Sequence, residues 1–354
     1  MTDGNDASPA FEDRLLRAAA EGTPLEIVGG GSKSFLGRLT QSESFDVSAH
    51  RGVISYEPTE LVITARAGTP LEEIESLLAD SGQMLAFEPP HFGATATLGG
   101  TVASALSGPR RPYAGAVRDF VLGTRVLDGQ GRTLNFGGQV MKNVAGYDVS
   151  RLMVGAMGTL GILLEVSLKV LPLAARTTTL VYSLDAAAAI ERMNALAAKP
   201  TPLSGACFEG GRLRLRLSGT VGGVAQAVKT LGGDESQDES HWQGLREQSL
   251  PYFDSAEPLW RLSVPPATPP LRIAGETLMD WGGALRWLKS EAPGEAVRAA
   301  AAEVGGHATL YRNGDRRGDI YHPLSPALLG LHQRLKASFD PKGILNRGRM
   351  YAEL

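Results

Sequence analysis

Glycine clusters in three loops of the first half of the chain, and this clustering constrains the fold more than any other feature of the sequence. The chain has 43 glycines among 354 residues, a share well above the protein average of about 7%. The loops lie at 29–34, 88–104 and 155–161. Glycine leaves backbone N–H and C=O groups uncovered, so such loops can approach a flat, phosphate-bearing ligand closely. The pattern therefore predicts a ligand site built largely from backbone atoms.

The three loops lack the spacing of the common phosphate-binding motifs. In the first loop, Gly29-Gly-Gly-Ser-Lys-Ser34, the residue directly before Lys33 is a serine, whereas a Walker A loop requires glycine there. Ser34 also stands where G-x-G-x-x-G has its last glycine. The loop follows a predicted strand, so its N–H groups, hydroxyls and ammonium could form a nest for a pyrophosphate. Each loop taken alone also fits a plain turn or a helix cap, whereas the three together indicate a dinucleotide-binding fold of another type.

Composition and charge exclude several classes of protein. A net charge of −3 without a Lys/Arg cluster gives no basis for nucleic-acid binding. Cys207 is the one cysteine in the sequence, so no disulfide framework and no cysteine-based metal or iron–sulfur site is predicted. There is no apolar run of about 18 residues to span a membrane, and the polar, acidic start of the sequence is unlike a secretory signal. We therefore expect a cytoplasmic protein with no metal site.

The chain length and a change in composition predict two domains and an α+β fold. A length of 354 residues exceeds one ordinary domain. Glycine becomes less frequent after Pro172, where strands and helices alternate, and the proline- and glycine-punctuated tail predicts a sharply folded terminal loop. The expected divisions are a flexible tail, a first domain, a smaller α+β domain and a C-terminal segment, at 1–10, 11–175, 176–305 and 306–354.

Further motifs identify a family. They read Phe87-Glu-Pro-Pro-His-Phe-Gly93, Leu106-Ser-Gly-Pro-Arg-Arg-Pro112, Val117-Arg-Asp-Phe-Val-Leu-Gly-Thr-Arg-Val126, Val140-Met-Lys-Asn-Val-Ala-Gly-Tyr-Asp148 and the tail Phe339–Tyr351. With the three loops in this order, the chain resembles the FAD-binding domains of the vanillyl-alcohol oxidase / p-cresol methylhydroxylase (PCMH-type) family. More closely, it resembles the FAD-binding E subunits of bacterial glycolate oxidase. The resemblance covers nearly the whole chain and is weak between about 176 and 305.

The resemblance implies a fold, a function and partners. The fold would be a PCMH-type FAD-binding domain of two α/β subdomains with a smaller α+β cap domain, and the C-terminal segment would return to the flavin. The chain would be the FAD-binding subunit of a multi-subunit glycolate oxidase, which oxidises glycolate, a small 2-hydroxy acid, to glyoxylate and passes electrons through FAD. Its partners would be a sister FAD-linked glycolate oxidase subunit and an iron–sulfur subunit. Through these partners it could also lie at the inner face of the membrane.

The resemblance also assigns cofactor residues where its motifs match this chain. The first loop would hold the FAD pyrophosphate, the second would line the ribityl and phosphate region, and the third would run along the FAD towards the adenine. A tail asparagine would return close to the flavin, although the family's usual Asn-Pro-Gly is Asn346-Arg-Gly348 here. The residues so assigned are Gly29, Gly30, Gly31, Ser32, Lys33, Ser34, Pro90, Thr95, Gly99, Gly100, Ser104, Gly158, Thr159, Gly161, Ile162 and Asn346. The first loop has no histidine, so the covalent linkage of some relatives cannot form there and a non-covalent FAD is expected.

Catalytic residues are less well defined by the sequence. The six histidines are scattered rather than clustered. His322 is the best candidate for a general base because the tail should lie near the flavin, and Arg312 could clamp a substrate carboxylate through two hydrogen bonds. A structural histidine and an exposed arginine at a strand end also fit these two positions.

Three functions therefore stay open. The first is an FAD-dependent oxidoreductase that acts on the CH–OH group of a 2-hydroxy acid as part of a complex, with the oxidation on this chain or on the sister subunit. The second is a stand-alone FAD-dependent 2-hydroxy-acid or alcohol dehydrogenase. The third is a non-catalytic flavin or assembly subunit.

Overall fold

The computed structural model describes residues 6–138, 148–237 and 239–354. Apart from Asp148, the motif Val140–Asp148 therefore lies outside the described residues. The described chain folds into two units that each contain helices and strands, which confirms the predicted α+β class. Among the described residues we find no helix with the length and apolar character that crossing a bilayer requires.

The first unit is built on a five-stranded antiparallel sheet in the described residues, with the order β3-β4-β8-β6-β7. A parallel pair, β1 and β2, and a short pair, β5 and β9, lie beside it. The elements are α1 Ser8–Glu21, β1 Leu25–Val28, β2 Glu43–Asp46, β3 Val53–Glu57, β4 Val62–Arg66, α2 Leu71–Asp80, β5 Gln83–Met84, α3 Leu98–Ser104, α4 Arg111–Ala114, α5 Val117–Phe120, β6 Val121–Leu127, β7 Thr133–Gly137, α6 Val149–Leu152, β8 Ile162–Lys169 and β9 Leu171–Pro172.

Helix α1 begins inside the predicted tail. Asp6 accepts hydrogen bonds from the backbone N–H of Ser8 at 2.9 Å and from its hydroxyl at 2.6 Å, and a proline follows in the first turn. Residues 8–10, which we had placed in the tail, are therefore helical. The helix ends at Gly22, whose φ of 70° suits a left-handed cap.

The core of the first unit lies between its sheet and helix α2. Leu71, Ile74 and Leu78 recur at helical spacing and are fully buried against strand β4 and the segment at 85–87. Burying each of these side chains stabilises the fold by about 1.5–3 kcal/mol. This packing fixes the start of the second glycine-rich loop, which leaves the core directly after Phe87.

The second unit is one antiparallel sheet covered by helices. In the described residues the sheet has eight strands in the order β13-β10-β12-β11-β15-β16-β14-β17. Its elements are β10 Arg176–Ser183, α7 Ala186–Ala197, β11 Leu203–Glu209, β12 Arg212–Gly219, α8 Val221–Leu231, β13 Asp234–Ser236, α9 Ser240–Glu247, β14 Leu259–Ser263, β15 Glu276–Asp280, β16 Leu285–Lys289, α10 Gly294–Glu303 and β17 His307–Arg312. Strand β17 pairs with β14, so this unit extends past residue 305, where the sequence analysis ended it.

A charged cluster joins the two units. The carboxylate of Glu88, in the second glycine-rich loop, accepts hydrogen bonds from Arg110 at 3.1 Å and from Arg216 on β12 at 2.8 Å. Burial alone would raise the pKa of Glu88, but the Arg216 and Arg110 guanidiniums outweigh it and the pKa is lowered. The indole N–H of Trp281 adds a bond to the carbonyl of Gly108 at 3.0 Å. These contacts set the position of the second unit on the loop at 88–108.

The C-terminal segment returns to the first unit through a buried lysine. Helix α11, Pro326–Phe339, carries Lys336, whose ammonium donates to the carbonyls of Thr159 at 2.8 Å and Leu345 at 2.6 Å. It also donates to the Asp340 carboxylate at 2.7 Å. Leu345 then forms a parallel bridge with Leu25 of β1. The tail is thereby fixed beside the first strand and the third glycine-rich loop.

We expect Lys336→Met to lower the free energy of unfolding by about 3–5 kcal/mol, because it leaves a buried carboxylate without its cation. Asp340 is 1% exposed, so water cannot replace the ammonium. Urea denaturation followed by circular dichroism measures the change. The matched control is Lys342→Met at an exposed position, which should change stability by less than about 0.5 kcal/mol. Equal stability of the two variants would contradict the assigned role of Lys336.

Candidate cofactor site

The three glycine-rich loops and the C-terminal tail converge on one cleft in the first unit. The cleft encloses about 950 Å³ of space that is open to solvent. Apolar side chains such as Ile27, Leu36 and Met157 line it between the loops. Most of the residues that the sequence analysis assigned to the cofactor also line it, namely Gly29, Gly31, Lys33, Ser34, Gly99, Gly100, Ser104, Gly158, Gly161 and Asn346.

The other assigned residues lie outside the lining of this cleft, and their roles stay predictions. The hydroxyl of Thr95 donates to the carbonyl of Gly30 at 2.5 Å, which joins the first two loops. Thr159 is buried, and Ile162 lies in the core of the unit. Ser32 and Pro90 line two neighbouring pockets. The pocket of Ser32 is lined by Ser32, Phe35, Phe92, Glu247, Arg312, Asn313 and Arg316. The pocket of Pro90 lies between the two units.

Glycine is required in these loops for close packing as well as for ligand access. A Cβ atom on Gly30 would lie 1.4 Å from the carbonyl oxygen of Thr95, and one on Gly99 would lie 2.7 Å from the Cβ of Ala67. A Cβ on Gly31 would instead meet open space, but its φ of 70° disfavours any side chain. The first loop therefore packs on the second, and the second packs on the sheet.

Asn346 connects three walls of the cleft. Its side-chain oxygen accepts from the N–H of Ile27 in β1 at 2.7 Å, and its amide group donates to the carbonyl of Met157 in the third loop at 2.5 Å. Its own backbone has a φ of 42°, in the left-handed region that asparagine tolerates better than most residues. The Asn346-Arg-Gly348 departure from the family pattern thus leaves the turn intact.

Arg349 is a cleft residue that the sequence analysis did not assign. Its guanidinium pairs with Glu26 at 3.0 Å and donates to the carbonyl of Ser34 at 3.0 Å, so the tail also holds the first loop. Both charged residues line the cleft. The sequence places Arg349 in the tail motif, but its partners come from the other end of the chain, and no local pattern could indicate them.

Lys33 is the cleft lysine, and burial controls its charge. Its ammonium donates to the carbonyl of His91 at 3.2 Å and to the hydroxyl of Ser32 at 3.3 Å. Burial lowers its pKa from 10.5 to about 8, and Glu247 acts in the opposite direction. Near neutral pH the ammonium is charged and is available to an anionic group.

The residues present fit a dinucleotide such as FAD. Glycine backbone and an ammonium suit phosphate groups, and the apolar side chains of Ile27, Leu36 and Met157 suit a flat ring. Apart from its chain neighbours, no heavy atom of the described residues lies within 4 Å of the position that a Cβ on Gly31 would take, so a ligand can approach the backbone there.

The structure places the two catalytic candidates away from the lining of the cleft. The ring of His322 lies 6.4 Å from that of His307, and its buried Nδ1 has no hydrogen-bond partner in the described residues. Tyr321, the preceding residue, bonds through its hydroxyl to the sulfur of Met157 at 2.7 Å, so His322 follows a residue that contacts the cleft wall. Arg312 stacks on Phe35 at 4.1 Å in the neighbouring pocket that Ser32 also lines.

Comparison with known proteins identifies the family. A family described as FAD binding domain matches residues 12–137. Over 349 residues the chain is 50% identical to glycolate oxidase subunit GlcE of Escherichia coli (strain K12), and the match covers 99% of each chain. The chain belongs to the GlcE family. It is accordingly an FAD-binding protein.

More distant relatives share parts of this GlcE-family chain. The D-lactate dehydrogenase of Archaeoglobus fulgidus is 31% identical over 161 residues, which are 45% of this chain and 36% of the relative. Glycolate oxidase subunit GlcD of Bacillus subtilis is 40% identical over 95 residues, 26% of this chain and 20% of that subunit. A solved structure of alkyldihydroxyacetonephosphate synthase superposes with a TM-score of 0.65 at 14% identity, covering 95% of this chain and 73% of that one. This last likeness shows the fold, which is the PCMH-type fold that the sequence predicted.

We expect Asn346→Ala to weaken FAD binding by about 10- to 100-fold, because it removes two hydrogen bonds of about 1 kcal/mol each and leaves a backbone N–H unpaired. Quenching of flavin fluorescence during titration measures the affinity. Asn194→Ala is the matched control, since that amide also bonds backbone carbonyls, at 2.8 and 3.2 Å, but lies in the second unit. Unchanged affinity in Asn346→Ala would show that the tail does not shape the site.

Lys33 predicts a pH dependence of FAD binding. Because its pKa is lowered to about 8, the free chain loses the cation as the pH rises through that value. We expect FAD affinity to be level below pH 8 and to fall by up to about tenfold for each pH unit above it. Lys33→Met should bind FAD weakly at every pH, without this dependence. The same titration over a pH series provides the measurement. If FAD affinity falls with pH equally steeply in the unmodified chain and in Lys33→Met, Lys33 is not the cause of the pH dependence.

Proposed function

We propose that this chain is the FAD-binding subunit of a multi-subunit glycolate oxidase that converts glycolate to glyoxylate. The observation that carries the proposal is the 50% identity to the GlcE subunit along 99% of both chains. The cleft supports it independently, because its loops and tail offer the backbone and the cation that FAD requires.

The protein's part in the reaction is to bind and orient the cofactor. When bound, FAD accepts the two electrons that leave the CH–OH group of the substrate. The glycine-rich loops would hold the cofactor through backbone groups, Lys33 would neutralise phosphate charge, and Asn346 would keep the cleft walls in register. A group that takes the hydroxyl proton of glycolate must come within hydrogen-bond reach of it. His322 stays our candidate for this group, and Arg312, which lines the pocket beside Ser32, stays one of two candidates for the substrate carboxylate.

We further propose that the FAD is non-covalent. Histidine is absent from the loop at 29–34, and the nearby His91 engages its ring with the Glu75 carboxylate at 2.9 Å. The ring nitrogen Nε2 of this histidine is therefore already occupied by a carboxylate partner.

The electrons would leave through partner subunits. Iron–sulfur clusters are held by several cysteine thiolates, whereas Cys207 is alone in the sequence and burial raises its pKa well above the ordinary value. An iron–sulfur centre must therefore belong to another chain, and a GlcD-type subunit would be the sister flavoprotein. This distribution of cofactors supports a relay in which the chain acts only in a complex.

A second candidate is a stand-alone FAD-dependent 2-hydroxy-acid dehydrogenase. The specific observation in its favour is the likeness to the D-lactate dehydrogenase of Archaeoglobus fulgidus over 45% of the chain. That match covers 36% of the relative, so it speaks for a shared cofactor domain more than for a shared reaction.

We expect the purified chain, loaded with FAD, to remain oxidised when glycolate is added alone. Its visible flavin absorbance should bleach once the partner subunits are present. Anaerobic spectrophotometry provides the measurement, with glyoxylate formation as the second readout. Rapid bleaching of the isolated chain would support the stand-alone enzyme instead. A chain that takes up no FAD would contradict both and favour a non-catalytic assembly subunit.

A further inference from the structure

A pair of arginines meets one tryptophan where the two units touch. The guanidinium of Arg261, on β14, lies 5.1 Å from the centre of the Trp281 ring, and that of Arg111, on α4 of the first unit, lies 4.3 Å from it. Trp281 is held in place by its bond to the Gly108 carbonyl. The packing of the units therefore brings two positive charges to one buried ring.

Arg261 has no carboxylate partner in the part of the chain that the structure describes. Burial lowers the pKa of the Arg261 guanidinium, and the neighbouring positive charge of Arg111 lowers this pKa further. Tyr311 acts in the opposite direction and raises it. His307 also lies within electrostatic reach, and Tyr321 and Asp280 act on Arg261 in the raising direction. A guanidinium in such surroundings is costly unless an anion accompanies it.

Asp280 supplies only part of the missing negative charge. Burial raises its pKa to about 7, against the opposing effect of a hydrogen bond from the N–H of Trp281 at 2.7 Å. Near neutral pH this carboxyl is divided between its neutral and charged forms. Asp119 acts on Arg111 from the first unit, so the positive charge that is only partly compensated is that of Arg261.

Arg261 lines a cavity between the second glycine-rich loop and the second unit. The space between them, part of which is open to solvent, amounts to about 370 Å³, and Tyr311, Asp280 and Gln248 line it as well. The side-chain oxygen of Gln248 is buried and has no hydrogen-bond partner in the described residues. One wall thus offers a cation whose charge is only partly compensated, and another offers an acceptor without a hydrogen-bond partner in the described residues.

The cavity adjoins the cofactor cleft. Leu106 lines the cavity, whereas Leu36 and Met157 line the cleft. All three belong to one apolar cluster, together with Trp281 and Tyr311. A small molecule in the cavity would therefore lie next to the apolar wall of the cleft.

We propose that this cavity is a binding subsite for a small 2-hydroxy acid, in which Arg261 holds the carboxylate and Gln248 accepts a hydrogen bond from the hydroxyl. A ligand that carries one anionic group and one hydroxyl donor satisfies both unpaired groups at once. That the acid is glycolate rests on the proposed function. The preference for a carboxylate with an adjacent hydroxyl rests on the cavity itself.

The test is isothermal titration calorimetry on the full chain loaded with FAD. The probes are glycolate, acetate, which lacks the hydroxyl, and glycolamide, which lacks the charge. We expect Arg261→Gln to weaken glycolate and acetate binding at least tenfold. Gln248→Leu should weaken glycolate binding and leave acetate binding unchanged, and glycolamide should bind more weakly than glycolate to the unmodified chain. The matched control is Arg317→Gln at an exposed position, which should bind all three as the unmodified chain does.

Several outcomes would overturn the subsite. They are unchanged glycolate affinity in Arg261→Gln, equal binding of glycolamide and glycolate, or no binding of either acid by the unmodified chain. If Arg261→Gln fails to fold, Arg261→Lys replaces it in the test because it keeps the positive charge. We expect Arg261→Lys to keep part of the acetate affinity of the unmodified chain. Failure to bind FAD or to join a complex would contradict the proposed function but not the subsite. In that case acetate binding to the cofactor-free chain still tests whether the cavity binds a carboxylate.

Discussion

A buried ammonium holds the site together. Lys336 bonds at once to the third glycine-rich loop at Thr159, to Asp340 and to the tail at Leu345. Asn346, the next residue after Leu345, bonds to Ile27 of β1 and to Met157 of the same loop. Because a buried cation is tolerated only when acceptors surround it, this arrangement forces the tail to return to the first strand. The tail thereby completes one side of the cleft and links its first strand to its third loop.

The second unit depends on a comparable constraint. Glu88 lies between Arg110 of its own unit and Arg216 of the other, so the loop that lines the cofactor region also carries the contact between units. The cofactor cleft is made by the first unit with its tail, whereas the neighbouring cavity is made by both units together. If FAD binds in the cleft and the substrate in the cavity, as proposed, a change at the contact between the units would affect substrate binding more than cofactor binding.

Particular elements show how far sequence reasoning reaches. The strand at 25–28 and the loop after it were predictable, because an apolar run followed by three glycines is a local signal. Strand β17 was assigned to the tail instead, because its place in the second sheet depends on pairing with β14, Ala308 opposite Leu262. At the early start of α1 the Asp6 carboxylate accepts from the N–H of Ser8, a contact that hydrophobic periodicity does not report.

By itself the sequence determined the family, the cofactor class and the loops that line the cleft, since glycine spacing and motif order are properties of neighbouring residues. Only the tertiary structure decided which polar groups would be paired. Lys336 and Thr159 are 177 residues apart, and Arg349 and Glu26 are 323 apart. The partly compensated charge of Arg261 and the unpaired side-chain oxygen of Gln248 likewise become visible only in the cavity that residues of both units line. Such pairings follow from burial and from contacts between distant segments, which a local pattern does not encode.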